Sequence, residues 1–296
     1  MKEELQGPLT LRGRVFSHEE LLRVRAIVEA SPDKHRNALS KMICEALDWR
    51  QANGRLKDRS CRDALLRLHE RGFLQLPERR HAPTRRRPIT ITDKTAPCMP
   101  PVLVPRDISA ASFDIITGHR RRAKEALWNE YVERYHYLGY GVPVGPHIKY
   151  FVRHRDQLIG CLAFAGAAWK VGARDRWIGW SQQSREANLR FVVNNTRFLI
   201  LPWIRLPNLA SRLLSLAAKR LPDDWHRLYA YRPLMLETFV NADLHNGTCY
   251  RAANWVCVGE TQGRGKMDRK HTARIPRKLV FLHPLDRGAR RALSAS

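Results

Sequence analysis

The sequence is short of acidic residues, of lysine and of long apolar runs, and each shortage excludes something. No apolar stretch approaches the ~18–20 residues that cross a bilayer. No membrane span is expected, and the expected location is the cytoplasm. The start, Met1-Lys2-Glu3-Glu4, has no basic segment leading into an apolar one, which argues against a secretory signal. Six cysteines (Cys44, Cys61, Cys98, Cys161, Cys249 and Cys257) form no C-x-x-C pair. Without His at ligand spacing they suggest no zinc ribbon, and they are expected as buried thiols. Only 28 Asp and Glu stand against 53 Lys and Arg, a net charge of +25, and of the 53 only 12 are Lys. Guanidinium groups are always charged and pair with phosphate in a bidentate fashion. An Arg-dominated surplus therefore points to a polyanionic partner, with nucleic acid first and an anionic membrane surface the weaker candidate, for want of a long basic amphipathic helix with a clean apolar face; no membrane partner is expected.

At 296 residues the chain is long enough for two domains. Residues 1–78 read as a winged helix-turn-helix-like unit. Ser17 and Glu20 form a capping box before HEELLRVRAIVEA. Asn37 caps ALSKMICEALDW, in which Leu39, Met42, Ile43, Ala46 and Leu47 share a face. A third helix runs from about Ser60 to Arg71 and stops at Gly72, before a short strand Phe73–Leu76. In such a unit the third helix enters the major groove, which makes Arg55, Lys57, Arg59, Arg62 and Arg67 candidate DNA contacts. Residues 79–112 read as a linker, since Pro83, Pro88, Pro97, Pro100, Pro101 and Pro105 prevent a regular helix. Its Arg85-Arg86-Arg87 run suits a phosphate backbone or a minor groove.

Residues 113–285 read as a mixed α/β main domain, and residues 286–296 as a flexible end. The expected helices are KEALWNEYVERYHY, NLASRLLSLAAKRL (capped by Asn208 and ended by Pro222) and a short one in GTCYRAANW. HIKYFVRH, LIGCLAFAGAAW, RFLILPWI, LMLETFV and VCVGET read as strands.

Tyr250 is a candidate nucleophile toward a DNA phosphodiester, with Arg251, Arg190, Arg197, Arg264 and Arg269 to stabilise the pentavalent phosphate and His245 or His271 as acid or base. Glu237, inside an apolar strand, is either one of several carboxylates around Mg²⁺ or half of a structural ion pair. No carboxylate spacing marks a metal site. Trp169, Trp177, Trp180, Trp203 and Trp255, interleaved with Arg174, Arg176 and Arg205, suit stacking on unpaired bases or an ordinary core. Asn195, in Asn194-Asn195-Thr196-Arg197, can read base edges or close a turn. Arg264, Lys266 and Arg269 lie in a Gly/Arg-rich tail suited to phosphate.

YHYLGYGVPVGPHIKYFV, GCLAFAGAAWK, RDRWIGW, NNTRFLILPWI, PNLASRLL and LMLETFVNADLHNGTCYRAANWVCVGETQGRG together resemble the DruA family of the Druantia anti-phage systems, over roughly residues 17–272. The resemblance implies a bacterial defence or mobile-element setting and contact with DNA. The element order of the main domain is also similar to the GNAT acyltransferase fold, which implies coenzyme A and gives Tyr250 the place of a thiolate-protonating residue. That family opens its central helix with a Gly-rich pyrophosphate loop. Arg205-Leu206-Pro207-Asn208-Leu209 has no glycine, so coenzyme binding is not expected. Three functions remain open: DNA strand cleavage or transfer, DNA recognition that recruits a helicase or nuclease, and acyl transfer to nucleobases.

Overall fold

The structure, a computed structural model, describes residues 8–79, 88–99, 111–117, 121–263 and 275–295. The chain divides into two compact units, Met1–Arg87 and Pro88–Ser296. None of the described helices is long and apolar enough to cross a membrane.

The first unit opens with a hairpin of β1 (Leu9–Leu11) and β2 (Arg14–Phe16). Arg12 and Gly13, both at positive φ, make the tight turn, whose twist suits two antiparallel strands. Three helices follow: α1 (His18–Glu29), α2 (Arg36–Ala46) and α3 (Asp58–Glu70). The Ser17/Glu20 capping box is present, with the Glu20 N–H donating to Ser17 Oγ at 3.1 Å. The cap of α2 is His35 rather than Asn37, because His35 Nδ1 accepts from the Ala38 N–H at 3.0 Å. Phe16, Leu21, Leu39, Ile43, Leu65 and Leu68 meet in one core. Phe73, Leu74 and Leu76 bury against that core without forming a strand, since β1 and β2 pair only with each other. The one two-stranded sheet among the described residues of this unit therefore precedes the helices. The α2–α3 connection, Leu47–Lys57, carries its own bend and an Arg50–Leu56 bridge, whereas a helix-turn-helix uses a turn of about 3–4 residues.

The second unit is mixed α/β. Its strands are β3 (Ser112–Ile115), β4 (His147–His154), β5 (Gln157–Gly166), β6 (Val192–Ile200), β7 (Met235–Asn241), β8 (Val256–Glu260) and β9 (Lys278–Pro284). They form one sheet in the order β3-β4-β5-β6-β7-β9-β8. Every neighbouring pair is antiparallel except β6 and β7, which run parallel. The helices are α4 (Arg122–Tyr135), α5 (Gly172–Ile178), α6 (Gln182–Asn188), α7 (Leu209–Tyr229), α8 (Thr248–Ala252) and α9 (Ala289–Ser294). HIKYFVRH, the strand β4, is buried almost continuously, as expected of a strand covered on both faces. Lys149 is fully buried there, and its Nζ donates to Glu125 at 2.6 Å and to Asn129 at 2.9 Å.

α7 crosses from β6 to β7 and continues through Pro222 to Tyr229, past the predicted end. An internal proline costs about 3 kcal/mol. Leu221 and Trp225, fully buried on either side of it, offset that cost. β9 and α9 were not expected. Ala289 and Leu293 of α9 are fully buried beside Ile178 and Trp180, so the chain end anticipated as flexible is helical and packed. Part of the anticipated linker is also docked. The Thr92 N–H and the Thr92 and Thr95 hydroxyls donate to Glu130 of α4 at 2.6–2.8 Å.

Candidate active site at the strand splay

β6 and β7 are paired only over Val192–Asn194 and Met235–Glu237. Beyond that point their ladder ends, so backbone groups on both strands need other partners. Thr238 Oγ1 donates across to the Asn195 carbonyl at 3.0 Å. On the other side, the β5–β6 register shifts between Ala163 and Phe164, and the buried Asn195 Nδ2 donates to the carbonyls of Ala163 and Arg197, both at 3.1 Å. Tyr250 of α8 fills the crotch. Its hydroxyl donates to Asn195 Oδ1 at 2.9 Å, and its ring stacks on Phe281 with the Trp255 edge against it. Gly247, at φ +68°, starts α8, and a Cβ there would run into the Phe281 ring.

Asn195 is thus neither in a turn nor at the surface; it lies inside β6 and satisfies the backbone around a bulge. Tyr250 is 8% exposed, and burial pushes its phenol far above the ordinary value. A nucleophile must lose its proton and reach its target, so this environment opposes the role expected of Tyr250. Arg251 is exposed and covers the Phe281 ring at 5.2 Å.

Around the open end of the splay stand His136, Tyr137, Arg197 and His245. His136 ends α4 and accepts the Leu138 N–H on Nδ1 at 3.2 Å, leaving Nε2 as the protonated nitrogen. Burial, with Arg197 and His245 adding like charge, lowers its pKa to about 4, so it is neutral at pH 7. Tyr137 is 47% exposed, stacks on His136 at 4.9 Å and meets the His245 ring edge-on at 5.5 Å. Burial raises its phenol, opposed by the Asn241 backbone and by Arg197. Arg197 is fixed by donating from Nε to the Gly139 carbonyl at 2.8 Å and from Nη1 to the Thr196 carbonyl at 2.7 Å. Arg197 lies on β6 past its paired stretch with β7, and His245 follows the end of β7. His245 and Arg197 were candidates from the sequence. His136 and Tyr137 were not, although YHY at a helix end was a visible signal.

Glu237 is a structural ion-pair residue. It is fully buried, accepting the Ala168 N–H at 2.7 Å and Arg174 Nη1 at 2.8 Å. Burial raises its carboxyl, and Arg174 works against that rise. Arg174 is itself 0% exposed and also donates to Asp175 and to the Ala168 carbonyl, so it is not a DNA contact. Arg176 and Arg190 are exposed, Arg190 over the Phe191 ring at 4.7 Å. Trp180 and Trp255 are core residues, whereas Trp169 is 62% exposed, with Arg185 over its ring at 5.9 Å. In the first unit Arg55, Arg59, Arg62 and Arg67 are exposed and Lys57 is half-buried, with Arg62 drawn to Asp58 at 3.4 Å. Arg85, Arg86, Arg87, Arg264, Lys266, Arg269 and His271 lie outside the described residues. Cys44, Cys61 and Cys161 are buried, Cys249 and Cys257 half-buried, and Cys98 exposed.

Among the described residues no group of three His, Cys, Asp or Glu side chains could hold a metal ion. The start of α7 does not fit a coenzyme pyrophosphate. Asn208 takes the left-handed conformation without a side-chain cap, Pro207 precedes it, and the Leu209 N–H is already donated to the Leu206 carbonyl at 3.3 Å.

A search of curated proteins found no match. Solved structures similar to the chain include the microcin C7 self-immunity acetyltransferase MccE, at 6% identity and TM-score 0.31, over 47% of this chain and 61% of that one. A spermidine N-acetyltransferase from Vibrio cholerae matches at 11% identity and TM-score 0.30, over 47% of this chain and 64% of that one. The aminoglycoside acetyltransferase AAC(6')-Ib with coenzyme A matches at 14% identity and TM-score 0.39, over 60% of this chain and 96% of that one. The chain spans less than two thirds of the first two, and likenesses with TM-scores under 0.5 support no conclusion about cofactor or substrate. A family profile described as Druantia protein DruA matches residues 74–284, which takes in α4, the whole β4–β9 sheet and every residue of the strand splay. With that match over well over half its length, the chain belongs to the DruA family.

Proposed function

We propose that this chain is a DNA-binding protein of anti-phage defence, which recognises DNA and presents it to a partner such as a helicase or nuclease. One observation carries the reading: burial removes equal numbers of anions and cations from the surface of the main unit. Glu130, Asp224 and Glu237 are buried, and so are Lys149, Arg174 and Arg185. Arg176, Arg190, Arg205 and Arg251 face solvent. Among the described residues the buried charges cancel, so the cationic surplus of the chain is left to attract a polyanion. In the first unit α3 exposes Arg59, Arg62 and Arg67, which are available to a duplex. The test is fluorescence anisotropy with labelled duplex, single-stranded and branched DNA over a salt series. Affinity should fall steeply with salt, because each neutralised phosphate releases counterions. A flat response, or no binding at 50 mM salt, refutes the reading.

The exposed Tyr137 beside His136, His245 and Arg197 favours a second reading, strand cleavage or transfer. There the Tyr137 phenol attacks phosphorus as an imidazole takes its proton, the P–O bond to the next nucleotide breaks, and the departing oxygen is protonated. A labelled protein band that survives denaturation, and is lost in Tyr137→Phe, supports it. Its absence on all three DNAs leaves recognition alone.

A further inference from the structure

A cleft of about 830 Å³ lies between β3, the start of α4 and the second half of α7. Arg121, Lys124, Arg220 and Arg227 line it together. Arg220 and Arg227 are two helical turns apart, so they share a face of α7. Asp224 lies between them, 4% exposed, accepting Arg220 Nε at 2.7 Å, Arg227 Nη2 at 2.8 Å and the Tyr150 hydroxyl at 2.9 Å. One buried carboxylate therefore fixes two guanidinium groups and leaves their other N–H groups to solvent. The carboxylate on the lining, Asp114, is engaged by Arg153 at 3.1 Å. Like charges gathered in one concavity repel one another. A fold retains such a cluster at a cost in stability, and an anion in the cleft would relieve it. Phe113, the aromatic residue on the lining, is buried in the core, so the cleft offers charge without a stacking platform for bases.

We infer that this cleft seats the phosphate backbone of the bound nucleic acid. It contacts phosphates rather than bases and is indifferent to sequence. The inference rests on the DNA-binding reading above.

The experiment uses the full chain and a labelled duplex of random sequence, with anisotropy measured from 50 to 300 mM salt. The variants are Arg121→Ala with Lys124→Ala, which leave Asp224 paired, and Arg220→Ala with Arg227→Ala. Arg287→Ala, an exposed cation that does not line the cleft, is the charge control. Thermal melts identify any variant that fails to fold. Each cleft pair should weaken binding roughly tenfold or more, the size of a lost charge-assisted hydrogen bond. Each should also flatten the salt slope by about 2, one per phosphate contact removed. Arg287→Ala should do neither. If the wild type binds and the folded Arg121/Lys124 variant matches Arg287→Ala in affinity and slope, the cleft is refuted and DNA binding stands. If the wild type binds no DNA, both fall.

Discussion

Replacing Arg174 by Met separates a buried ion pair from a DNA contact. Methionine keeps the length of the side chain and removes its charge. Arg174 is fully buried, so the substitution exposes no new surface. It strips Glu237 of its 2.8 Å cationic partner, leaving one backbone donor, Ala168 N–H at 2.7 Å. It also takes a donor from the Ala168 carbonyl and from Asp175. Breaking a buried pair by removing one partner costs about 3–5 kcal/mol. In a unit of this size each 1 kcal/mol moves Tm by about 2–4 °C, so Tm should fall by roughly 6–20 °C. The sign with pH follows from Glu237. Burial already raises its carboxyl above 4.5, and Arg174 restrains the rise. Without Arg174 the folded value climbs further. An acid raised in the folded state favours folding when protonated, so its contribution is intact below the unfolded value and lost as pH rises through the folded one. The deficit against wild type should therefore be larger at pH 8 than at pH 5. Calorimetry at both pH values, with anisotropy on duplex DNA at 25 °C, reads both outcomes. An unchanged Tm with lost DNA affinity would refute the reasoning and return Arg174 to the surface.

Tyr250→Phe should lower Tm by a few degrees, because Asn195 Oδ1 loses its buried donor at a cost of about 1–3 kcal/mol. DNA affinity should not change, and an unaltered Tm would mean that the hydroxyl serves something other than the fold. Gly247→Ala should reduce the urea midpoint by more than a typical surface substitution. The new Cβ runs into the Phe281 ring, and φ is +68°, so overpacking and left-handed strain add. A neutral result would show that α8 can shift. His136 should remain neutral between pH 8 and 6 by NMR and protonate near pH 4. Because this base is depressed in the folded state, its contribution is full above about 6.5 and lost as pH falls toward 4. Titration near 6.5 would place the ring in solvent.

What could be read from the sequence follows from how local each signal is. The capping box at Ser17 and the strand HIKYFVRH are local, and both are where they were expected. The end of α7 was misplaced because Pro222 breaks helices locally, whereas Trp225 and Asp224 hold this one from a distance. α9 was missed because ARRALS has little apolar content of its own, and Leu293 is buried by α5 and its neighbours. Glu237 in an apolar strand was a sound alarm, and the ion pair was the milder of its two readings. The burial of Arg174 could not be read, since RDRW looks like any exposed basic run.

The strand splay turns two sequence oddities into one structural device. NNT within an apolar strand and TCYRAANW after a glycine look like chemistry when read separately. Together they are the closure of a sheet whose parallel ladder stops after three residue pairs. Asn195 and Thr238 satisfy the backbone groups released there, and Tyr250 fills the volume. Such a plug has to be rigid, so its members are held by mutual hydrogen bonds and aromatic contacts and are unavailable to a ligand. Residues that act on a ligand must instead be reachable and positioned from behind. His136, Tyr137, Arg197 and His245 meet that requirement, with Arg197 locked to two carbonyls and Tyr137 stacked on a neutral imidazole. Variation in the plug should therefore register as lost stability, and variation at its mouth as lost function at unchanged stability. That division gives each of the seven positions a measurable signature.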